Sequence, residues 1–349
     1  MMGRIERLTE KLDDGHAVFI SGYPNIFYYS GFTSQDAYLV ISKQRRMLIT
    51  DSRYTVQARE QAEGFDIVDI KEGWEKIFRE IPEEHICFEE ARMSVAEYSR
   101  LKNNAPGKIF VKSQELIDKP RRIKDKDELK LIAEAEKIGD DAFSHMLKFI
   151  KAGMTEREIA LELETHMKRS GASGLSFETI AASGIRSSMP HGTATDKVLE
   201  NGDFLTLDFG CVYKGYCSDM TRTVVVGKAN ERQREIYNIV LQAQKEALDG
   251  IYSGIPCNEA DYIARGIIAD AGYSDNFGHS LGHGVGIEIH EAPFFSPSSH
   301  DILTDGNVMS VEPGIYIDGF GGVRIEDLIA VDDGKIINMT HSPKELIEL

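Results

Sequence analysis

The chain has 349 residues, 42% of them hydrophobic, a composition ordinary for a soluble globular protein with more than one domain. It carries 57 acidic and 40 basic residues, which gives a formal net charge of −17. Nucleic acids and anionic membrane surfaces attract basic protein faces, so this balance argues against both as partners.

The first fifteen residues, MMGRIERLTEKLDDG, show the pattern of a charged amphipathic helix with Ile5, Leu8 and Leu12 on one side. They contain no apolar core of signal-peptide length, and no apolar run in the sequence is long enough to span a membrane. The four cysteines show no CxxC spacing, which is typical of reduced thiols in a chain of this length. We therefore expect a cytoplasmic protein.

Residues 16 to about 117 alternate short apolar stretches with helical patterns. HAVFIS, DAYLVIS and RMLITD predict strands, whereas YTVQAREQAEG and SVAEYSRLKNN predict helices. This alternation is typical of an α/β domain with a small mixed sheet. Pro120 and the charged run after it predict a connector, so we place the two domains at residues 1–120 and 121–349.

The second region contains an internal repeat. One long helix is expected to begin between Asp125 and Asp127, and another is expected over about 231–252. AGMTEREIALELETHMKRSGASG, from Ala152, follows the first helix and resembles SGIPCNEADYIARGIIADAGYSD, from Ser253, which follows the second. Strand-like segments come after both copies. We interpret this order as a duplication of helix, helix and antiparallel strands.

The strands of the first half carry a pair of aspartates. FLTLDFGCVYKGYCSDMTRTVVV predicts a hairpin that turns at Lys214-Gly215. That turn places Asp208 opposite Thr221 and makes Asp219 a diagonal neighbour of Asp208, with Cβ atoms roughly 7 Å apart. Two carboxylates this close repel each other unless a cation lies between them.

The second half repeats the arrangement in NVMSVEPGIYIDGFGGVRIEDLIAV. We expect Glu312 on a first strand and Glu326 on a second, across the loop DGFGG, with Arg324 on the same face as Glu326. Four carboxylates would then face a common centre. The stretch GHSLGHGVGIEIHEAP, residues 278–293, adds three histidines, and its glycines favour an extended segment over a helix.

One of these histidines could complete a site of four carboxylates and one imidazole. Such a set suits two divalent ions about 3.5–4 Å apart. Oxygen-rich ligation favours Mn²⁺, Co²⁺ or Fe²⁺ over a structural zinc site. His290-Glu291 does not begin an HExxH motif, because Pro293 would break the helix that this motif needs.

These motifs resemble those of the pita-bread metallopeptidases, a family that includes methionine aminopeptidases, Xaa-Pro aminopeptidases and Xaa-Pro dipeptidases (prolidases). The resemblance extends from about residue 120 to the end of the chain. It implies two divalent ions as cofactors, Mn²⁺ or Co²⁺ first, with Fe²⁺ or Zn²⁺ as alternatives. The metal ligands of the family fall on residues in LDFG, SDMTRT, GHGVG, VEPGIY and VRIED, namely Asp208, Asp219, His283, Glu312 and Glu326.

The same resemblance implies catalytic histidines. The family histidine before the first hairpin falls on His191 in SSMPHG, and the later one, in a strand ending in HE, falls on His290. His279 falls where proline-directed members carry a further site histidine. Phe177 and Ile180, in SFETIAASG, are candidates for the apolar pocket that holds the proline ring, and the core is the alternative location for each.

Residues 1–120, including GYPNIFYYSGF, resemble the creatinase-like N-terminal domain of the proline-directed branch. The implied fold class is a creatinase-like α/β domain followed by a pseudo-twofold α+β pita-bread (creatinase/aminopeptidase) catalytic domain. Methionine aminopeptidases generally lack the first domain and are the weaker alternative. A peptide-binding scaffold without catalysis is the alternative from another class, and the intact ligand set argues against it. Family members are commonly dimers, so a homodimer is expected.

The implied reaction is hydrolysis of the bond between an N-terminal residue and a following proline in a di- or oligopeptide. A hydroxide bridging the metals would attack the carbonyl, with Glu312 passing the proton to the leaving nitrogen and His191 and His290 hydrogen-bonding the substrate. Arg324 would orient a ligand carboxylate, or form an ordinary strand ion pair. Some prolidases carry arginine directly after His-Glu-x-Pro, where this chain has Phe294, so aminopeptidase action on longer peptides is favoured over dipeptidase action.

Overall fold

The computed structural model describes residues 3–349. The chain divides into two compact units, one ending at Arg121 and the other running from Arg122 to Leu349. Within residues 3–349, no helix combines the length and the apolar character needed to cross a membrane.

The first unit is built on one mixed sheet. Its strands are β1 (His16–Ile20), β2 (Ala37–Ile41), β3 (Arg46–Thr50), β4 (Asp66–Asp69), β5 (His85–Phe88) and β6 (Ile109–Lys112). They lie in the order β4-β3-β2-β1-β5-β6, and β1 pairs antiparallel with β2 and parallel with β5. The helices of this unit are α1 (Arg4–Thr9), α2 (Tyr23–Ser30), α3 (Thr55–Gln61), α4 (Trp74–Arg79), α5 (Val95–Asn103) and α6 (Gln114–Asp118).

The elements predicted for the first unit are confirmed with one correction. β1, β2 and β3 occupy the three predicted strands, and α3 and α5 occupy the two predicted helices. The amphipathic helix expected over the first fifteen residues is shorter, since α1 ends at Thr9. Gly15, at φ +78°, then turns the chain into β1. Ile5, Leu8 and Leu12 are nevertheless buried. Met1 and Met2, which that prediction included, lie outside the described residues.

The second unit consists of two halves with the same order of helices. The long helices α7 and α9 both begin at a capping box, in which the cap residue, Asp125 or Asn230, and the third helical residue bond each other's backbone N–H. The start predicted for α7 and the duplicated order are therefore confirmed. The four helices are α7 (Lys126–Phe149), α8 (Glu156–Arg169), α9 (Glu231–Gly250) and α10 (Cys257–Asp270).

Each half of the second unit places strands against its pair of helices around its own buried core. The strands are β7 (Gly174–Leu175), β8 (Ile180–Ser183), β9 (Phe204–Phe209), β10 (Cys211–Tyr213), β11 (Tyr216–Cys217), β12 (Met220–Val225), β13 (Gly282–Gly284), β14 (Glu291–Phe295), β15 (Val308–Val311), β16 (Gly314–Ile317), β17 (Gly321–Arg324), β18 (Asp327–Asp332) and β19 (Lys335–Asn338). The first half forms the sheets β12-β9-β8 and β11-β10-β7. The second half forms the sheet β14-β13-β15-β18-β19 and the hairpin β16-β17.

The hairpin of the first half has the predicted register. Tyr213 pairs with Tyr216 across the turn at Lys214-Gly215. Both turn residues have positive φ, +47° and +88°, which is the backbone that a tight two-residue hairpin turn requires. This turn fixes the pairing of β9 with β12 farther along the strands.

The two halves of the second unit meet where β12 lies beside the end of β17. The N–H of Glu326 donates to the carbonyl of Thr221 at 3.1 Å, and the N–H of Arg324 donates to Oγ1 of Thr223 at 3.2 Å. The hydroxyl of Thr223 donates in turn to the carbonyl of Arg324 at 3.0 Å. These bonds hold the acidic segment of the second half against the hairpin of the first.

Candidate metal centre

A cavity of about 450 Å³ in the second unit is lined by all five residues that the motifs indicate as metal ligands. Carboxylate oxygens of Asp219 and Glu326 and a ring nitrogen of His283 all lie within 4.8 Å of one another. Asp208, on β9, pairs with Thr221 on β12 as predicted. The fold thus brings acidic residues of both halves to one wall.

Three of the four acids lie at breaks between strands. Asp208 is inside β9, but Asp219 falls between β11 and β12, and Glu326 falls between β17 and β18. Glu312 directly follows β15, so the expectation that Glu312 and Glu326 lie on two facing strands is wrong. The pairing of β15 with β18 ends at Val311, the N–H of Glu312 donates to the carbonyl of Leu281 at 2.8 Å, and Pro313 has no N–H to donate. The N–H of Glu326 bonds across the two halves instead.

His283 is held with one ring nitrogen available to a metal ion. Its Nδ1 lies 3.1 Å from the carbonyl of Gly284, so Nδ1 carries the proton and donates it. Nε2 keeps its lone pair and lies 3.5 Å from Asp219 Oδ2 and 3.4 Å from Glu312 Oε1. Burial, with a further contribution from His290, lowers the pKa of His283 to about 4, so the ring is neutral at pH 7.

Three carboxyl groups of the cluster, those of Asp219, Glu312 and Glu326, resist ionisation. Burial raises the pKa of Glu312 to about 8. Burial also raises the pKa of Asp219 and of Glu326, and repulsion from the neighbouring carboxylates raises both further. Such a cluster becomes fully ionised only when a cation neutralises it, which is the electrostatic requirement of a divalent-metal site.

The hydrogen bonding of the Asp208 carboxylate indicates whether the residues present could bind a metal ion. Oδ2 of Asp208 accepts from Nη2 of Arg324 at 2.5 Å, while the buried Oδ1 has no hydrogen-bond partner. An unpartnered buried carboxylate oxygen is costly, and coordination to a metal ion would satisfy it. The donor set of four carboxylates and one imidazole suits Mn²⁺, Fe²⁺ or Co²⁺. The residues present therefore fit divalent metal ions.

Arg324 holds two of these acids in place through hydrogen bonds of its guanidinium group. Besides Asp208, its guanidinium donates to Thr221 Oγ1 at 3.0 Å and to the hydroxyl of Tyr316 at 2.7 Å. Thr221 donates to Glu326 Oε2 at 2.6 Å. Arg324 therefore orients Asp208 directly and Glu326 through Thr221. This role goes beyond that of an ordinary ion pair between strands.

Tyr316 is a site residue that the sequence analysis did not identify. Its hydroxyl lies 2.9 Å from Nε2 of His279, and Nδ1 of His279 lies 2.8 Å from the carbonyl of Ser280. Nδ1 therefore donates to that carbonyl, and Nε2 accepts the hydroxyl proton of Tyr316. Burial, with the charge of Arg324, lowers the pKa of His279 to about 4 and keeps the ring neutral. Both nitrogens of His279 are thus engaged within the protein.

A signal for Tyr316 was available in the hairpin alignment. Gly314 pairs with Arg324 in the β16-β17 hairpin, and Tyr316 stands two residues farther along the same strand. It therefore shares a face with Arg324 as a diagonal neighbour. Aligning VEPGIYI with GGVRIED would have placed the phenol next to the guanidinium.

His290 lines the cavity but lies in a loop, not in a strand ending in HE, because β14 begins at Glu291. Oε1 of Glu291 accepts the N–H of Glu288 at 3.1 Å, and this bond closes the loop directly before the strand. The ring of His290 packs edge-on against His283, with 4.4 Å between the centroids. Burial lowers the pKa of His290 as well.

The remaining wall of the cavity carries the other residues that the sequence analysis singled out. His191, Phe177 and Ile180 all line it, together with Phe294, which is 42% exposed. Ile180 is buried as the first residue of β8, so it belongs both to the core and to the wall. The cavity therefore joins an acidic metal-binding side to an apolar side.

Tyr316→Phe is expected to lower kcat/KM by about 10–100-fold, the usual cost of losing a group that orients a metal site. The change removes the donor to His279 and an acceptor of Arg324 while it preserves the ring. Steady-state kinetics with metal analysis would measure it. Tyr213→Phe is the matched control, since that ring contacts Lys214 on the hairpin turn. Unchanged kinetics in Tyr316→Phe would contradict the assignment.

Metal affinity is expected to increase as pH rises from about 6 to 8. The pKa of Glu312 is raised to about 8 without metal, so most molecules hold a proton there at pH 6. A metal ion binds the ionised form and must displace that proton, which weakens binding about tenfold per pH unit below 8 for each proton displaced. Calorimetry in buffers of different ionisation enthalpy would count the protons. Affinity without pH dependence and without proton release would refute this account.

The fold and the site define a metal-dependent peptidase, and the chain belongs to metallopeptidase family M24. The family model matches residues 130–333, and the model of the Creatinase/Prolidase N-terminal domain matches residues 4–123. The predicted family and fold class, a creatinase-like domain followed by a pita-bread catalytic domain, are confirmed.

Similar proteins match along the whole chain. The chain is 39% identical over 350 residues to the Xaa-Pro dipeptidase of Pyrococcus furiosus, covering 99% of this chain and 100% of that protein. The structure of the Xaa-Pro dipeptidase from Bacillus anthracis matches with a TM-score of 0.95 and 44% identity over 99% of both chains. That of the X-Pro aminopeptidase from Thermotoga maritima matches with a TM-score of 0.91 and 38% identity, over 98% of this chain and 99% of that one. Neither the methionine aminopeptidase nor the scaffold alternative is favoured.

Proposed function

We propose that this peptidase hydrolyses the bond between an N-terminal residue and a following proline. The observation that carries the proposal is the buried cluster of four carboxylates and one neutral imidazole on a cavity wall. Proteins similar over their full length are Xaa-Pro dipeptidases and an X-Pro aminopeptidase, which supports the proline preference. Two ions, Mn²⁺ or Co²⁺ first, would be held by Asp208, Asp219, His283, Glu312 and Glu326.

Glu312 is the proton carrier in this proposal. Bound divalent ions would polarise the scissile carbonyl and make hydroxide available near neutral pH. Oε1 of Glu312 accepts the hydroxyl of Ser310 at 3.1 Å, which fixes the carboxylate and leaves Oε2 to exchange a proton. Oε2 would take a proton from the attacking water and release it to the leaving nitrogen, so that Glu312 acts first as general base and then as general acid.

The three histidines that line the cavity besides His283 have different roles. His191 and His290 line the cavity, and an imidazole ring can present an N–H donor to a substrate oxygen as charge develops. His279 has both nitrogens engaged, by Ser280 and Tyr316, so we assign it to holding Tyr316. It is a positioning residue in this account.

Phe177, Ile180 and Phe294 would form the apolar side that receives the proline ring. Burying a ring of this size favours binding through removal of apolar surface from water, at about 25 cal/mol per Å². The acidic side of the same cavity would attract the free amino group of the substrate. Together the two sides select an N-terminal residue followed by proline.

Peptides longer than two residues are the favoured substrates. Among the described residues that line the cavity, the one arginine or lysine is Arg324, and Asp208, Tyr316 and Thr221 engage its donors. The terminal carboxylate of a dipeptide would therefore meet no uncommitted guanidinium or ammonium group on this wall. A longer peptide carries its carboxylate away from the acidic cluster.

We further expect a homodimer in the cytoplasm. All four cysteines are buried and form no disulfide with one another, which suits a reducing compartment.

Light scattering coupled to size-exclusion chromatography would measure the oligomeric state, and a monomer at micromolar concentration would contradict the dimer.

The proposed function is tested by supplying Mn²⁺ or Co²⁺ and four peptides: the dipeptide Leu-Pro, a longer peptide beginning Leu-Pro, its Leu-Ala counterpart, and Met-Ala-Ser. We expect release of leucine from the longer Leu-Pro peptide, weaker cleavage of the dipeptide and little cleavage of the Leu-Ala control. Cleavage of Met-Ala-Ser alone would indicate methionine aminopeptidase activity. Binding of metal without cleavage of any peptide would favour the scaffold.

A further inference from the structure

The loop that carries His191 is tied at both ends to one buried carboxylate, that of Glu156 in the first turn of α8. Oε1 of Glu156 accepts the N–H of Ser183 at 2.7 Å and its hydroxyl at 2.9 Å. Oε2 accepts the N–H of Thr195 at 3.0 Å and its hydroxyl at 2.7 Å. A single side chain therefore joins the residue before the loop to the residue at its end.

Arg186, inside the loop, balances the charge of Glu156. Its Nη1 pairs with Oε2 of Glu156, and its Nη2 donates to the carbonyl of Thr193 at 2.9 Å. Burial acts to raise the pKa of Glu156, but the bonds from Thr195, Ser183 and Arg186 outweigh it and hold the pKa below its usual range. The buried carboxylate is thus ionised and fully hydrogen-bonded, which is the condition under which a buried charge is tolerated.

The middle of the same loop reaches the metal centre. The carbonyl of Pro190 accepts from Nη1 of Arg324 at 3.3 Å, and the hydroxyl oxygen of Ser187 accepts the N–H of Gly322 at 2.9 Å. His191 follows Pro190 directly and lines the cavity. A displacement of the loop would therefore move His191 without removing any of the five metal ligands.

We propose that Glu156 is a positioning residue that fixes the loop of residues 184–195 so that His191 meets the substrate. The inference rests on the proposed function, which gives His191 its contact with substrate, whereas the attachment of the loop is a property of the fold. Glu156 contributes no ligand to the metal centre. Its loss is expected to leave metal stoichiometry unchanged.

Hydrogen–deuterium exchange tests the attachment of the loop without any measurement of activity. In Glu156→Gln, the amide has one acceptor oxygen, so its NH₂ group must face donors, either those of Ser183 or those of Thr195 and Arg186. We expect amide exchange in residues 184–195 to become at least ~10-fold faster, because the loop opens locally. Glu158→Gln is the matched control. It also removes a carboxylate from the first turn of α8, but that carboxylate bonds Thr155 and not the loop. Unchanged exchange in Glu156→Gln would overturn the proposal.

Kinetics separates positioning of His191 from a general loss of stability. Glu156→Gln is expected to lower kcat/KM for the longer Leu-Pro peptide at least ~10-fold, since misplacement by about 1 Å is costly in catalysis. In a His191→Ala background the same change is expected to cost less than ~2-fold, because the group through which it acts is absent. Equal losses in both backgrounds would overturn the proposal.

Arg186→Met provides a second test if Glu156→Gln does not fold. It removes one partner of the carboxylate and leaves the bonds to Ser183 and Thr195, so a smaller loss with the same dependence on His191 is expected. A loss in Arg186→Met that is independent of His191 would count against the proposal. If the wild-type protein cleaves none of the peptides, the proposed function fails, and exchange in residues 184–195 still decides whether Glu156 holds the loop.

Discussion

Asp219→Asn is expected to abolish binding of metal at the cluster and to lower kcat/KM by ~1,000-fold or more, since even loss of a group behind a ligand costs about 10–100-fold. Carboxylate oxygens of Asp219 lie within 4.8 Å of potential ligand atoms of His283 and Glu326. An amide presents a weaker, uncharged donor and leaves less negative charge to neutralise a second cation. Metal analysis after dialysis, combined with steady-state kinetics, would measure both effects.

The same variant is expected to be more stable than the wild-type protein once metal is removed. Burial and repulsion from the neighbouring carboxylates oppose ionisation of Asp219, and a neutral amide avoids that cost. Thermal unfolding in a chelator should therefore show Tm higher by ~2–4 °C for each kcal/mol recovered. Asp275→Asn, at an exposed aspartate, is the control. Metal binding and activity equal to wild type in Asp219→Asn would contradict the ligand assignment.

Arg324→Met is expected to lower the free energy of unfolding of the metal-free protein by about 3–5 kcal/mol, the usual cost of removing one partner of a buried ion pair. Arg324 is 3% exposed, and its loss leaves Oδ2 of Asp208 without its donor. Methionine approximates the length of the side chain, so the effect reports mainly the lost charge and hydrogen bonds. Denaturant unfolding of the metal-free protein would measure it.

Activity of the metal-loaded Arg324→Met protein is expected to fall by about 10–100-fold, because Asp208 and, through Thr221, Glu326 lose their orientation. Arg324→Lys keeps the charge, but a single ammonium group cannot reproduce the planar set of donors to Asp208, Thr221 and Tyr316. It should therefore recover part of the stability and little of the activity. Full activity in Arg324→Lys would show that only the charge matters.

The pairs of acids could be predicted because the duplicated pattern contains one pair in each half, whereas the choice of His283 among three histidines came from the family resemblance. Each half carries two acids in or beside the strands that follow its paired helices. In the first half, the turn at Lys214-Gly215 determines which residues face each other. The register depends on local turn chemistry, which is readable from sequence. The breaks that carry Asp219 and Glu326 were not predicted, because tertiary contacts replace the ladder there. The N–H of Asp219 donates to Oε2 of Glu136 on α7, and the N–H of Glu326 donates to the carbonyl of Thr221 in the other half.

The residues that hold the site in place were harder to predict. Glu156 bonds Ser183 and Thr195, which are 27 and 39 residues away in the chain, so no local periodicity indicates the contact. The hairpin register could have placed Tyr316 beside Arg324. Its hydrogen bond to His279, 37 residues away in the chain, has no local signal. Such partners are set by tertiary packing, which a pattern of apolar and polar residues does not encode.

In the first unit, too, some strands could be predicted from the local sequence, whereas others depend on tertiary contacts. β1, β2 and β3 are apolar five-residue strands and were predicted, whereas β4 and β6 are four-residue strands at the two edges of the sheet with only partial burial. Strands of that kind have too little alternation to identify. Their place is set by parallel pairing with β3 and β5.

The most direct test of the central claim is a titration of peptidase activity with metal. Protein stripped with a chelator would receive increasing Mn²⁺, and release of leucine from the longer Leu-Pro peptide would be followed. We predict activity that rises to a plateau at two equivalents per chain, with Asp219→Asn remaining at the baseline. Two bound equivalents without hydrolysis, or equal hydrolysis in the stripped protein, would contradict a metal-dependent Xaa-Pro peptidase built on these five residues.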